Sequence, residues 1–373
     1  MKLSFQKLFY VFATLFALFA TMHYGKVILI PLSFALMLSF ILYPMVKKLE
    51  SLGMNEMFAA FLSMLGVFLS FAGATILLST QIIELSEEFS QFRDKILSVF
   101  ADVTLFVNNN VNFVPNVESG DITDEIKNWL NNSAGTLVKE TFSGTAGILS
   151  GVVSTVVFLF LILIYKKGLV NALVEFYPKE KQEKARHLFR KIQQVGQKYL
   201  FGVILIILIL GMINSIGLLI IGLDSPFLFG YLAAVLAIVP YVGTLVGAAI
   251  PVLYAFISYD SLLMPLAVAL LFWAVQVIES NFLSPKIVGG SLKINALASI
   301  MSIIIGASVW GVAGMILFLP FTAILKVICE EYTDLKPVAL LIGEENYKKD
   351  SNSDSLIVKW GSNIKSWFSN KNK

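Results

Sequence analysis

Charge is scarce in this chain. Only 14% of its 373 residues are charged, against 57% that are hydrophobic. A water-soluble protein of this length cannot hide so much apolar side chain and needs a more charged surface. Cysteine is nearly missing: Cys329 stands alone. One cysteine excludes an intrachain disulfide and a cysteine metal cluster, and Cys329 reads as a small residue near a helix end. The only two histidines, His23 and His187, are isolated from each other and read as ordinary polar positions. No GxxxxGK[ST] is present, so ATP-driven pumping by this chain is not expected. No Ser-His-Asp set, HExxH or paired aqueous carboxylates argue for an enzyme. A net charge of +3 is too small to argue for nucleic acid, and no cofactor or metal is expected.

Long apolar runs dominate instead. Several uncharged stretches meet or exceed the roughly 20 residues that cross a bilayer as helix. The expected fold is an all-α polytopic integral membrane protein with six to eight crossings. Residues 1–80 hold three spans, at 8–23, 27–43 and 57–80. The first two are joined so closely that they form an antiparallel hairpin, and no small-residue cleavage site marks a signal peptide. Residues 81–145 are acidic; within them DITDEIKNWLNN reads as a short capped helix. A fourth span covers 146–165. Residues 166–198 then carry nine Lys or Arg against three Glu and form an amphipathic segment. Positive charge collects on the cytoplasmic side. That places the basic segment and both termini inside and the acidic segment outside. The tail, 326–373, ends in SLIVKWGSNIKSWFSNK, whose apolar residues and lysines suit a short helix on the inner leaflet.

Residues 199–325 break the simple pattern. A fifth span at 199–223 buries Asn214 and Ser215. The uncharged run 225–259 follows. Its 35 residues would reach about 52 Å as straight helix, against a hydrocarbon core of about 30 Å. It is either one tilted overlong helix or a re-entrant hairpin, and Pro240 and Gly243 lie near its midpoint. Gly247 and Pro251 complete its set of breakers. Another span, 261–278, leads into ESNFLSPKIVGG, with Glu279, Pro285 and Gly289. A second overlong run, 294–325, carries Gly306, Gly311, Gly314 and Pro320. Paired interrupted segments are the best sequence pointer to a transport site. Parity does not decide their shape. Eight crossings, or six with two re-entrant hairpins, both end inside; they differ in placing SPKIVGG outside or inside.

The candidate site residues follow from this. A helix broken at membrane depth frees carbonyls and N–H groups, which protein, water or solute must satisfy. Freed carbonyls near Pro240 can ligate a cation; tight packing through Gly243, Gly247 and the other small residues is the competing reading. The glycines of the second run pose the same choice. Glu279, one helical turn after Gln276, is a candidate for proton or cation coupling, or else an interface marker. Asn214 either bonds across helices or faces a solute. Asp224 is expected to cap the helix that follows it.

VPYVGTLVGAAIP, followed by VIESNFLSPKIVGGSLKINALASIMSIIIGASVWGVAGMILFLPFTAIL, resembles the AI-2E family of bacterial membrane transporters. The likeness lies in the Pro-aromatic-x-Gly break, the Glu-to-Pro-to-Gly turn and the closing Gly-x-x-Gly segment with its proline. The layout of the earlier spans fits as well. The resemblance implies a homo-oligomeric inner-membrane transporter. Its members include exporters of autoinducer-2 and Na+ or Li+/proton antiporters. The leading expectation is therefore a secondary exporter of a small solute, coupled to a proton or monovalent-cation gradient. A cation/proton antiporter and a non-transport membrane scaffold are the alternatives.

Overall fold

The computed structural model describes residues 5–87, 150–289 and 292–344. The capped helix expected in the acidic segment and the expected interfacial helix of the tail lie outside the described residues. Among the described residues every regular element is helical, apart from an isolated antiparallel bridge between Ile294 and Gly343. Five helical stretches there are long and apolar enough to cross a bilayer: Lys26–Ser51, Ser150–Glu175, Lys179–Ile221, Leu263–Ile287 and Val312–Glu331. Large apolar side chains such as Phe16, Leu245 and Trp273 are mostly exposed. Lipid solvates such a surface, and every backbone group then has to be satisfied within the protein. The chain is a multi-spanning membrane protein.

Helices α1 (Phe5–Tyr24) and α2 (Lys26–Ser51) meet at Gly25. The link does not show the antiparallel hairpin expected from sequence: Gly25 is nearly helical (φ −83°, ψ 3°), its N–H bonds the Thr21 carbonyl, and its own carbonyl takes the N–H of Leu29. A side chain at Gly25 would meet the Thr21 carbonyl at 2.6 Å, which explains glycine in so short a link. Helices α3 (Glu56–Glu87) and α4 (Ser150–Glu175) pack against α2 through Ala35, Ala59, Ala60 and Leu163. The small alanines let the backbones approach, the usual device where lipid gives no hydrophobic drive. At one end of this group Lys166 pairs with Glu50 at 2.5 Å, and Lys167 reaches Glu56. The fourth helix thus runs ten residues past the expected boundary at 165, because its lysines find carboxylates on α2 and α3.

Helix α5 (Gln182–Ile221) is continuous for 40 residues, about 60 Å. The expected boundary at Tyr199 is a change of charge along one helix. In the basic half, Lys184 and Lys191 bracket Glu331 at 3.1 and 3.8 Å. Gly222 ends α5 in the left-handed region at φ 86°, with its N–H bonding back to Leu218 and Leu219. This is a helix stop that glycine serves without strain.

Two antiparallel helical hairpins follow. Helices α6 (Pro226–Leu236) and α7 (Val242–Ser258) are joined by a tight turn at 237–241. Asp224 does not cap α6: its carboxylate takes the Tyr259 hydroxyl at 2.9 Å, tying together the two ends of the hairpin. Helix α8 (Leu263–Ile278) does not end in a turn at SPKIVGG. It continues through wide π-helical turns at Glu279–Leu283 and Pro285–Gly289. Helices α9 (Ala296–Trp310) and α10 (Val312–Glu331) form the second hairpin, broken at Gly311 alone. A short helix α11 (Lys336–Ile342) folds back to the start of α9. There Asn295 caps α9 and donates to the carbonyls of Leu341 and Gly343. Phe229, Tyr254, Val268 and Phe272 lock the first hairpin against α8 and the end of α5.

Candidate transport pocket

Most of the prolines and glycines in the two broken runs do not break a helix. Pro251 and Pro320 sit buried inside α7 and α10. Gly247 lies within α7, where an added side chain would come 2.9 Å from Ala233 Cα on α6. Gly306 and Gly314 bring α9 and α10 into backbone contact. These positions pack helices. The true interruptions are the 237–241 turn, which contains Pro240, and Gly311.

The turn at 237–241 is strained. Tyr241 adopts φ 63° and ψ −57°, and the N–H of Val242 bonds to the Pro240 carbonyl at 2.7 Å. This is a γ-turn of a kind rarely seen with a side chain at its centre. Gly243 follows because a side chain there would collide with the Leu236 carbonyl. Turn N–H groups bond the carbonyls of Ala233, Val235, Leu236 and Val239, and none of them takes the carbonyl of Ala234 or Ala237.

Beside this turn is a pocket lined by Asn214 of α5, Ala234 and Ala237 of the first hairpin, Thr244 of α7, and Gln276 and Glu279 at the end of α8. Its cavity volume is about 30 Å³, where one water needs about 10–15 Å³. Asn214 lies seven residues, about 10 Å, below the end of α5, and Gln276 lies about 20 Å along α8 from its start. The pocket thus lies beside the apolar length of α5 and the last turn of α8.

Its chemistry is that of an acceptor. Asn214 is 4% exposed, and its Oδ1 has no hydrogen-bond partner. Such an unsatisfied buried oxygen costs about 1–3 kcal/mol and calls for an occupant. Thr244 donates its hydroxyl proton to the Tyr241 carbonyl at 2.9 Å, which leaves its oxygen free to accept. Gln276 Nε2 donates to Glu279 Oε2 at 2.7 Å, and the Ser284 hydroxyl donates to Glu279 Oε1. The second hairpin differs. Its buried Ser302 hydroxyl pairs with the half-buried Thr322 hydroxyl at 2.6 Å, and Trp310 Nε1 donates to the Met22 carbonyl at 2.9 Å. Among the described residues no group of three or more His, Cys, Asp or Glu could hold a metal.

Of the residues singled out from sequence, the pocket gathers Asn214, Gln276 and Glu279, with Pro240 in the adjoining turn. Pro285 and Gly289 fall in the π-helical continuation. Gly306, Gly311, Gly314 and Pro320 belong to the second hairpin, away from the pocket lining. Thr244 and Ser284 were missed. Thr244 had a signal: it is the only Ser or Thr between Pro226 and Ile257.

Residues 8–334 match the family described as AI-2E family transporter. The chain belongs to the AI-2E transporter family. It is 29% identical to YrrI of Bacillus subtilis over 315 residues, covering 81% of this chain and 86% of that protein. It is 26% identical to YueF of Bacillus subtilis, over 79% of this chain and 82% of that one. It is 22% identical to the AI-2 transport protein TqsA of Escherichia coli, over 86% and 90% of the two chains. The names of all three describe transport. This AI-2E family member is accordingly a membrane transporter and not an enzyme, and the scaffold alternative loses its ground.

Proposed function

We propose that this chain is a secondary transporter of a bacterial inner membrane that binds its substrate in the pocket beside the first hairpin, with Glu279 as the coupling carboxylate. The hairpin of α6 and α7 re-enters the membrane from the outer face. In support, α6 has 11 residues, about 16 Å, half of a hydrocarbon core of about 30 Å. The second hairpin crosses and returns. In support, Trp310 near its tip bonds Met22, two residues from the end of α1, while Glu331 at its base meets the basic half of α5. The chain then crosses eight times and keeps both termini inside. Subunits assemble as a homo-oligomer through the lipid-exposed apolar faces.

The substrate best supported is a monovalent cation, Na+ or Li+, exchanged for protons. The observation that carries this reading is that Asn214, whose side-chain oxygen has no hydrogen-bond partner, lines the same small cavity as Glu279. A bare cation wants several oxygen ligands, and a half-helix ending at mid-depth supplies carbonyls for it. Asn214, Thr244, Glu279 and the carbonyls of Ala234 and Ala237 are the proposed donors. A second reading, a small solute of the AI-2 kind, is favoured by the likeness to TqsA. It requires the cavity to widen, since a five-carbon furanone needs several times the observed volume.

Purified protein in proteoliposomes with a trapped pH dye tests both. Pulses of Na+ or Li+ are expected to drive proton movement that vanishes in Glu279→Gln. Absence of any cation-driven flux, together with AI-2 movement blocked by the same substitution, would transfer the pocket to the second reading. Movement of neither would overturn the proposal.

A further inference from the structure

The π-helical turns after α8 place Ser284 where a regular helix could not. On an α-helix, positions five apart point roughly 140° away from each other. In a π-turn the i→i+5 hydrogen bond brings residue i+5 back above residue i. Here the N–H of Ser284 bonds the Glu279 carbonyl, and the Ser284 hydroxyl reaches Glu279 Oε1. The cause of the widening is local. Ser280 Oγ donates to the Gln276 carbonyl at 2.9 Å, and Asn281 Nδ2 donates to the Val277 carbonyl at 2.8 Å. Side chains that compete for backbone carbonyls loosen the α-helical ladder. Pro285, with no N–H, cannot restore it.

Gln276 holds the other carboxylate oxygen from one turn below, at 2.7 Å. Glu279 is therefore gripped from both sides along its own helix, with its remaining lone pairs free for the pocket. We infer that Ser284, delivered by the π-turn, is a positioning residue that fixes the Glu279 carboxylate at the substrate site. This rests on the reading of Glu279 as the coupling group. The serine does not touch the substrate; it selects the rotamer and the oxygen that Glu279 presents. One serine hydroxyl, five residues away, would thereby set how tightly the pocket holds its ion.

The test has one arm that needs no substrate. Dicyclohexylcarbodiimide modifies carboxyl oxygens within membranes, and peptide mass spectrometry reads the rate at Glu279. Ser284→Ala frees Oε1 and is expected to raise that rate about tenfold, the change that follows loss of a hydrogen bond to a charged group. Ser284→Thr, which keeps the hydroxyl, is expected to label like the wild type. In proteoliposomes Ser284→Ala is expected to raise the half-saturating Li+ or Na+ concentration more than it lowers the maximal rate, and Ser284→Thr to restore it. Equal labelling in Ser284→Ala and wild type would overturn the inference. So would Ser284→Thr behaving like Ser284→Ala, which would mark a merely structural serine. If wild-type protein moves no cation yet the labelling changes as expected, the function proposal fails and the carboxylate clamp stands.

Discussion

Replacing Gly314 by alanine is expected to part the second hairpin. A Cβ at Gly314 would collide with the Gly306 carbonyl and lie 2.9 Å from Gly306 Cα. From the other side, a Cβ at Gly306 would lie 2.6 Å from the Gly314 carbonyl carbon and 3.0 Å from Phe318 Cβ. Carbon atoms rest about 3.5–4.0 Å apart, so α9 and α10 must separate by about 1 Å at their crossing. The obstacle is backbone on both sides, and no rotamer change relieves it. Overpacking of this kind costs about 1–3 kcal/mol. Trp310 reports on it directly, since its ring packs edge-on against Phe318 at 5.6 Å. Thermal unfolding in detergent, followed by tryptophan fluorescence, is expected to show a lower midpoint for Gly314→Ala and for Gly306→Ala. The double variant is expected to fall short of the sum, because the first methyl already opens the gap. Gly66→Ala, with nothing within 4 Å, is the neutral control. An unchanged midpoint in Gly314→Ala would refute the close crossing.

Gly311→Ala tests a different mechanism. Nothing lies within 4 Å of its Cβ position, but φ 61° and ψ −136° suit glycine alone, so a backbone cost of about 1–3 kcal/mol is expected in the same melt. Asn295→Ala removes the cap of α9 and two donors to α11; about 2–3 kcal/mol of local stability is at stake. Hydrogen exchange over residues 336–344 is expected to accelerate while the rest of the chain is unaffected. Lys166→Ala leaves the largely buried Glu50 with only the distant Lys167, at 3.9 Å. It is expected to lower stability by about 2 kcal/mol, and reversing the pair as Lys166→Glu with Glu50→Lys is expected to recover part of it.

The sequence carried the membrane class and the existence of two interrupted segments, because bilayer thickness sets run length and Gly–Pro breaks stand out in apolar runs. It did not tell breakers from packers. Pro251 and Pro320 look like Pro240 in sequence, yet only Pro240 sits in a turn. Pro251 and Pro320 lie buried within α7 and α10, whereas Pro240 leads into the Tyr241 γ-turn that closes the tip. Asn214 and Glu279 were legible as polar exceptions in apolar surroundings, but their meeting was not, since they lie 65 positions apart. Ser284 was hidden by periodicity itself. Read as α-helix it points away from Glu279, and only the side-chain bonds of Ser280 and Asn281 bring it around.

The central claim is that the tip of the first hairpin is where substrate binds, and thiol protection at Thr244 tests it most directly. With Cys329→Ala as background, Thr244→Cys in proteoliposomes is exposed to a small water-soluble thiol reagent, with Na+, Li+ or choline at equal ionic strength. Na+ or Li+ is expected to slow its modification, and choline to leave it unchanged. Ser302→Cys, buried in the second hairpin, is expected to be indifferent to all three. Modification of Thr244→Cys at one rate under every condition, with protection appearing at Ser302→Cys instead, would contradict the account and move the site to the other hairpin.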